Sequence, residues 1–260
     1  MPDEFPPDVL QEAREQAALF NENDLNGRTD FTGETIVTID PVDARDFDDA
    51  ISLTKDDKTG HWLLGVHIAD VSHFVPPGGS LDLEARKRGT SVYLPQRVLP
   101  MFPEVISNGL ASLQQDRLRY VKSVLMELNE QGQIIDVRFA NGAIRNRRRF
   151  SYAEVSKIFA ESDKVSGGGV PPVDLGPIGP GGPIGPMSEH NSPEAISLLL
   201  RMRELFRILR KRRRKRGFLE LAMPETELEF DDQGRVTGAH LAEHDDSHQI
   251  IEEFMLSANE

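Results

Sequence analysis

The chain has 260 residues, with 43 acidic against 30 basic, a net charge of −13, one Trp and no Cys. The lack of Cys excludes disulfide and thiolate-metal frameworks, and no stretch approaches the ~20 consecutive apolar residues of a membrane span. Hydrophobic residues make up 38%, enough for a sizeable core, and the acidic, Pro-rich start Met1 to Leu10 lacks the basic and apolar regions of a signal peptide, so no membrane association and a cytoplasmic location are expected.

In chain order, residues 6–20 carry apolar side chains at helical spacing after a Pro pair and predict an amphipathic helix. Thr35 to Ile39 and Ala50 to Leu53 read as strands flanking an acidic loop, and Trp62 to Ile68 reads as a third strand after the turn Asp56 to Gly60. Leu81 to Lys87 predicts a short helix, and Val92 to Leu94 an extended piece before Pro95. Ser123 to Leu128 and Gln133 to Ala143 predict a hairpin turning at Asn129 to Gly132. Ser151 to Ala160 is expected to be helical, with Ser151 and Glu154 spaced as a capping box. Pro193 to Arg216 predicts a long helix with apolar Ile196, Leu199, Leu200, Leu205, Ile208 and Leu209. Phe218 to Leu221, Glu227 to Phe230 and Arg235 to Leu241 read as strands, with a turn at Asp231 to Gly234, and His248 to Glu260 as a closing helix.

Two segments break the average composition. Gly167 to Pro186 holds eight Gly and six Pro in twenty residues, including four Gly-Pro-x triplets. That is too few for a collagen trimer, so a flexible or polyproline-like surface insertion over 165–188 is expected. From Arg201 to Arg216 there are ten basic residues against one acid, Glu204. The local charge is +9 and the rest of the chain carries −22. Such segregation suits an enzyme that attracts a polyanion with one face and concentrates carboxylates on another; a solvated helix face explains the run alone equally well.

The densest chemistry is Thr38 to Ala50, TIDPVDARDFDDA, with Asp40, Asp43, Asp46, Asp48 and Asp49 inside ten residues. Crowded carboxylates repel unless a cation holds them, which points to a hard divalent ion with oxygen ligands, Mg²⁺ first and Mn²⁺ second. A calcium loop competes, but counting from Asp40 the positions that need Gly and Glu hold Arg45 and Ile51. An acidic turn whose Asp side chains cap backbone groups is the bland alternative.

The string TIDPVDARDFDDAISL, then HIADVSHFVPPGGSLDLEARKRGTSVYLPQRVLPMFPEVISNGLASL, RKRGFLELAMPE and HDDSHQIIEEFMLSANE, closely resembles the catalytic RNB domain of the exoribonuclease II family. The resemblance covers nearly all of the chain outside the Gly/Pro-rich insertion. It implies an α+β fold, a mixed and mostly antiparallel sheet ringed by helices, with residues 1–27 as a helical lead-in and 28–260 as the catalytic domain. It also implies a hydrolase that degrades single-stranded RNA from the 3′ end to nucleoside 5′-monophosphates with Mg²⁺. Matched by motif, Asp40 and Asp49 would hold the metal, Asp46 would assist coordination, and Asp48 would serve the chemical step. Asp43 would be a bystander.

Tyr93, in SVYLPQRVLP, falls where the family stacks an aromatic ring on the 3′ base; Leu221, in GFLEL, stands on the other side, where the family often has Phe. Arg97 and the run Arg210 to Arg216 are candidate phosphate contacts. His67, Asp70 and His73 have spacing that could suggest a metal site, but the resemblance makes them strand-end and turn residues of the active-site wall. Glu252 and Glu253 lie on a helix that the family packs beside the site, where one could support the metal shell.

The family's domain runs past the position of Glu260, to a segment supplying a transition-state arginine, and is usually flanked by OB-folds that feed RNA to the site. The chain is therefore expected to be a partial catalytic domain, with a separate chain supplying the missing part, or else a catalytically silent RNA-binding or partner-binding fragment.

Overall fold

The computed structural model describes residues 3–94, 97–164, 193–219, 226–231, 233–241 and 245–260. In chain order these form α1 (Pro7–Leu19), β1 (Thr29–Asp30), β2 (Ile36–Asp40), β3 (Asp49–Lys55), β4 (Trp62–Ala69), α2 (Val71–Phe74) and α3 (Ser80–Arg88). A small hairpin, β5 (Val92–Leu94) and β6 (Arg97–Leu99), and one wide helical turn, Val105–Leu110, lead to β7 (Leu118–Leu128), β8 (Ile134–Arg145) and β9 (Arg148–Ser151). Then come α4 (Tyr152–Lys164), α5 (Pro193–Lys215), the hairpin β10 (Thr226–Phe230) and β11 (Val236–Leu241), and α6 (Asp246–Asn259). No helix among the described residues is long and apolar enough to cross a membrane.

Seven strands make one sheet in the order β1-β8-β7-β4-β3-β2-β9. Its four inner pairings are antiparallel, and the two outermost, β1 on β8 and β9 on β2, are parallel. The fold is thus α+β with a mostly antiparallel sheet and surrounding helices. The period of two along each strand builds two cores. Val37, Ile39, Ile51, Leu53, Leu64 and Val66 join Phe150 and the apolar stripes of α4, α5 and α6 on one face. Ile36, Ala50, Ala69 and Val121 meet α1, Phe74 and Leu81 on the other. Phe150 is 1% exposed; emptying such a site costs about 3–5 kcal/mol, so the strand beside β2 is firmly held.

Two local devices set the positions of α4 and α5. Ser151 and Glu154 form the expected capping box: the Ser151 backbone N–H donates to Glu154 Oε2 at 2.7 Å and the Glu154 N–H returns to Ser151 Oγ at 3.3 Å. This starts α4 one residue beyond the end of β9. At the β7–β8 turn, Gly132 has φ +71° and a Cβ there would stand 3.0 Å from Ile208, so only Gly lets α5 lie against the hairpin tip.

The sequence expectations differ from the structure in several places: α2, β6 and the turn Val105–Leu110 are additional elements, and β7 begins at Leu118 rather than Ser123. β1 and β9 carry no apolar alternation, and nothing in their own residues predicts a strand; their pairing is supplied by neighbours. Phe218 and Leu219 continue no strand: Phe218 turns under the Arg213 guanidinium, 4.1 Å from its ring centre, which closes the end of α5 instead. The Gly/Pro-rich insertion 165–188 and Leu221 lie outside the described residues.

Candidate functional site

β2 ends on Asp40 and β3 begins on Asp49, so the loop 41–48 brings its carboxylates to one end of the sheet. Asp40 lies in register with Ser151 of β9, which sets Tyr152, the first residue of α4, beside the loop. The loop is held from several sides. The Ser112 hydroxyl donates to the Arg45 carbonyl at 2.7 Å and accepts from the Phe47 N–H at 3.2 Å. The Leu113 N–H donates to the Phe47 carbonyl and the Ala69 N–H to the Asp48 carbonyl, both at 2.8 Å. Arg149 Nη2 donates to the carbonyls of Pro41 and Val42, and its guanidinium lies 4.9 Å from the Phe47 ring centre. A loop tied this way presents its acids in fixed positions, unlike a freely solvated acidic turn.

The electrostatics of the corner are unfavourable as it stands. Asp40 is 7% exposed; burial pushes its carboxyl up to about 6, aided by Asp48 and Asp46 and opposed by a Thr38 hydrogen bond and the charge of Arg149. Asp49 is pushed up to about 7 by burial and then by the charges of Asp48 and Asp40. Asp48 reaches solvent yet is crowded by protein; that desolvation and the charge of Asp46 raise it too, and it shares a hydrogen bond with Asp49. The two neighbours therefore titrate as a pair. Oδ2 of Asp40 and Oδ2 of Asp49 are buried and have no hydrogen-bond partner, an arrangement that normally costs about 1–3 kcal/mol per group.

Among the described residues no three acidic or imidazole side chains are already drawn into a closed ligand cage. The donors nevertheless fit a hard divalent cation: they are oxygens, the burial and mutual repulsion that raise them are what a bound cation would offset, and two of them are buried without partners.

Tyr93 is 64% exposed on the β5–β6 hairpin, and its hydroxyl donates to Asp46 Oδ2 at 2.6 Å. That hydrogen bond, with burial and the carboxylate charges, pushes the phenol up to about 12. Its ring face remains open to solvent. Arg97 sits across the same hairpin, exposed, with Nη2 2.7 Å from Asp3. The structure thus brings Asp40, Asp46, Asp48, Asp49 and Tyr93 together, with Arg97 on the strand paired to Tyr93; Leu221 lies outside the described residues.

Two neighbours of the corner escape a reading of the sequence. Tyr152 is half-buried, its phenol raised to about 12 by burial and then by Asp40, Asp49 and Asp48. It stacks on His248 of α6 with ring centres 4.0 Å apart, and His248 is in turn 3.1 Å from the α6 cap Asp245. Arg149 is the loop's tie and the cation whose charge acts on Asp40. Both are placed by strand β9, parallel to β2, which has no sequence pattern of its own.

His67, Asp70 and His73 do not converge. His67 is fully buried between Ser52 Oγ at 3.0 Å and Ser123 Oγ at 2.8 Å, and burial pushes it down to about 4. Asp70 accepts from Arg28 at 2.6 Å, and His73 packs edge-on against Tyr120. Glu253 faces Arg213 at 2.8 Å, with Glu252 at 3.8 Å from the same guanidinium, so both are turned to α5 rather than to the acidic corner.

The sequence profile of the RNB domain matches residues 28–260. Ribonuclease R of Thermotoga maritima is 38% identical over 260 residues, spanning 100% of this chain and 33% of that protein. The chain therefore spans about a third of the length of the curated relatives it matches. Among solved structures, Mycoplasma genitalium RNase R in complex with double-stranded RNA superposes with a TM-score of 0.84 at 29% identity, over 100% of this chain and 41% of that one. The same protein in complex with ribose-methylated single-stranded RNA gives 0.82 at 28% identity, over 100% and 36%.

Proposed function

Since the chain belongs to the RNB domain family, we propose that it is the catalytic domain of a Mg²⁺-dependent exoribonuclease that hydrolyses single-stranded RNA from the 3′ end to nucleoside 5′-monophosphates. RNA as partner is supported by the two RNA complexes of the similar Mycoplasma protein. The observation that carries the reading is the pair of buried, partnerless carboxylate oxygens on Asp40 and Asp49, at the end of a tied loop.

In this reading Asp40 and Asp49 hold the cation, Mg²⁺ or in its place Mn²⁺, and Asp46 assists. A bound divalent ion supplies Lewis acidity at the phosphoryl oxygens and lowers the pKa of water. The chain's own residues do the rest. Asp48, open to solvent beside Asp49, takes the proton of the attacking water in this reading. Tyr93 offers an exposed ring on which the terminal base stacks, a sequence-tolerant grip, while its hydroxyl keeps Asp46 oriented. Leu221 closes the other face of that base, and Arg97 meets a phosphate after exchanging Asp3 for it.

The test is incubation with a 5′-labelled single-stranded oligoribonucleotide and Mg²⁺ beside Asp48→Asn, resolved to single nucleotides. A descending ladder from the intact protein alone is expected. Internal cuts, or an equal ladder from Asp48→Asn, would contradict the proposal; RNA binding without turnover by a folded protein would make it a silent binding fragment.

A further inference from the structure

Arg149 grips the acidic loop at both of its ends. Its Nη2 donates to the carbonyls of Pro41 and Val42, directly after Asp40. The same guanidinium lies 4.9 Å from the ring centre of Phe47, which stands between Asp46 and Asp48. The two groups of carboxylates that the proposed cation would share are therefore joined through one side chain.

The base of this grip is itself fixed. Arg149 lies opposite Thr38 in the ladder between β2 and β9, and its backbone N–H donates to Gln115 Oε1 at 3.2 Å. Asn146, just before β9, donates to the Leu113 carbonyl at 2.8 Å and to the Thr38 hydroxyl at 3.3 Å. Ser112 and Leu113 in turn hold the loop at Arg45 and Phe47. Arg149 thus reaches the loop from a frame made of β2, β9 and residues 112–115.

Electrostatics argues against a guanidinium at this place. A positive charge beside a cation site repels the cation, and the charge of Arg149 acts on Asp40. Among the described residues it nevertheless forms no ion pair with Asp40, Asp46, Asp48 or Asp49, and Oδ2 of Asp40 and of Asp49 stay without partners. Its own Nε is buried without a partner as well, which costs about 1–3 kcal/mol. A neutral side chain would avoid both penalties. What Arg supplies and Lys does not is a rigid planar fork that bonds carbonyls along its edge while its face lies on an aromatic ring.

We propose that Arg149 is a positioning residue that sets the ion selectivity of the corner, by keeping the Asp40 end and the Asp46/Asp48 end of the loop from moving apart. The inference rests on the function proposed above. Mg²⁺ demands oxygens at about 2.0–2.1 Å in a near-octahedral array, whereas Ca²⁺ accepts about 2.3–2.6 Å and irregular geometry. A loop gripped at both ends favours the smaller ion, and a loop released at one end adapts to the larger. Groups that orient metal ligands are typically worth about 10- to 100-fold in metal affinity.

The test is calorimetric titration of Mg²⁺ and of Ca²⁺ into the chelator-treated protein, above the pH range in which the corner carboxylates titrate. Arg149→Lys keeps the charge and loses the fork. Phe47→Leu keeps Arg149 and removes the ring, and it decides the matter if Arg149→Lys does not fold. Each is expected to bind Mg²⁺ about tenfold or more weakly than the intact protein, with Ca²⁺ affinity within about threefold. A loop that is merely destabilised loses both ions equally, so an unchanged ratio of the two affinities in either folded variant overturns the selectivity role and leaves the proposed function standing. Tighter binding of both ions by Arg149→Gln, with Arg149→Lys equal to the intact protein, reduces Arg149 to a nearby charge and overturns the proposal likewise. No binding of Mg²⁺ by the intact protein overturns both this inference and the proposed function.

Discussion

Two groups of buried carboxylates serve as internal controls for each other. Asp70 and Glu84 are 2% and 5% exposed, and each has a guanidinium at hand: Arg28 lies 2.6 Å from Asp70 and Arg88 3.0 Å from Glu84. Burial alone would raise Asp70, but hydrogen bonds from Ser72 and Arg28 bring it below the ordinary carboxylate range. In the corner, burial wins. No Lys or Arg among the described residues forms an ion pair with Asp40, Asp48 or Asp49, and all three are raised. The fold thus pairs Asp70 and Glu84 with guanidinium groups and leaves Asp40, Asp48 and Asp49 facing one another, as the proposed cation site requires.

The contrast can be broken from either side. Asp70→Asn leaves Arg28 buried beside an uncharged amide and should lower stability by about 3–5 kcal/mol, read as the denaturation midpoint, without altering metal binding. Asp49→Asn should act in reverse: the metal-free protein gains stability, while RNA hydrolysis falls on the order of a hundred- to a thousandfold, as loss of several kcal/mol of metal-borne stabilisation implies. A loss of stability in Asp49→Asn would mean that its carboxylate is a structural partner like Asp70.

The pH dependence sharpens the same point. A carboxyl whose folded pKa is raised binds a proton in the folded state that the unfolded chain has released, so its contribution is present at low pH and lost as pH rises. Metal-free protein should therefore lose stability between about pH 4 and pH 7, with Asp40, raised from 3.8 to about 6, contributing about 3 kcal/mol. Thermal transitions in chelator across that range measure it, and Asp40→Asn should flatten the curve. Asp70, shifted the other way, contributes stability present above about pH 4 and lost below it.

The smallest effects concern Tyr93. Tyr93→Ala should weaken RNA binding by about 1–3 kcal/mol through lost stacking. Tyr93→Phe keeps the ring and loses only the hydrogen bond to Asp46, so affinity should stay nearly constant while turnover falls severalfold. Equal losses in both variants would show that the hydroxyl, not the ring, binds RNA.

Much of this is legible in the sequence because its causes are local. The strands around the corner follow from apolar alternation, α4 from the Ser151/Glu154 box, and the crowding of five Asp between residues 40 and 49 from the sequence directly. What is not legible depends on distant partners. β9 is RRFS, with no pattern of its own, and becomes a strand because β2 offers it a parallel edge; Arg149 and Tyr152 are hidden with it. The spacing of His67, Asp70 and His73 gives no sign that Ser52 and Ser123 enclose the first and Arg28 pairs with the second. The ties that the basic run makes to Gly132, Glu253 and Glu260 likewise need the positions of those distant residues.

The most direct measurement is calorimetric titration of Mg²⁺ and Mn²⁺ into the chelator-treated protein at pH 8, beside Asp40→Asn/Asp49→Asn. Saturable binding of both ions to the intact protein, lost in the double variant while Asp70→Asn retains it, is the predicted result. Binding no tighter to the intact protein than to the double variant, or binding of Ca²⁺ alone, would contradict the assignment of the corner as the metal site of an RNA-hydrolysing enzyme.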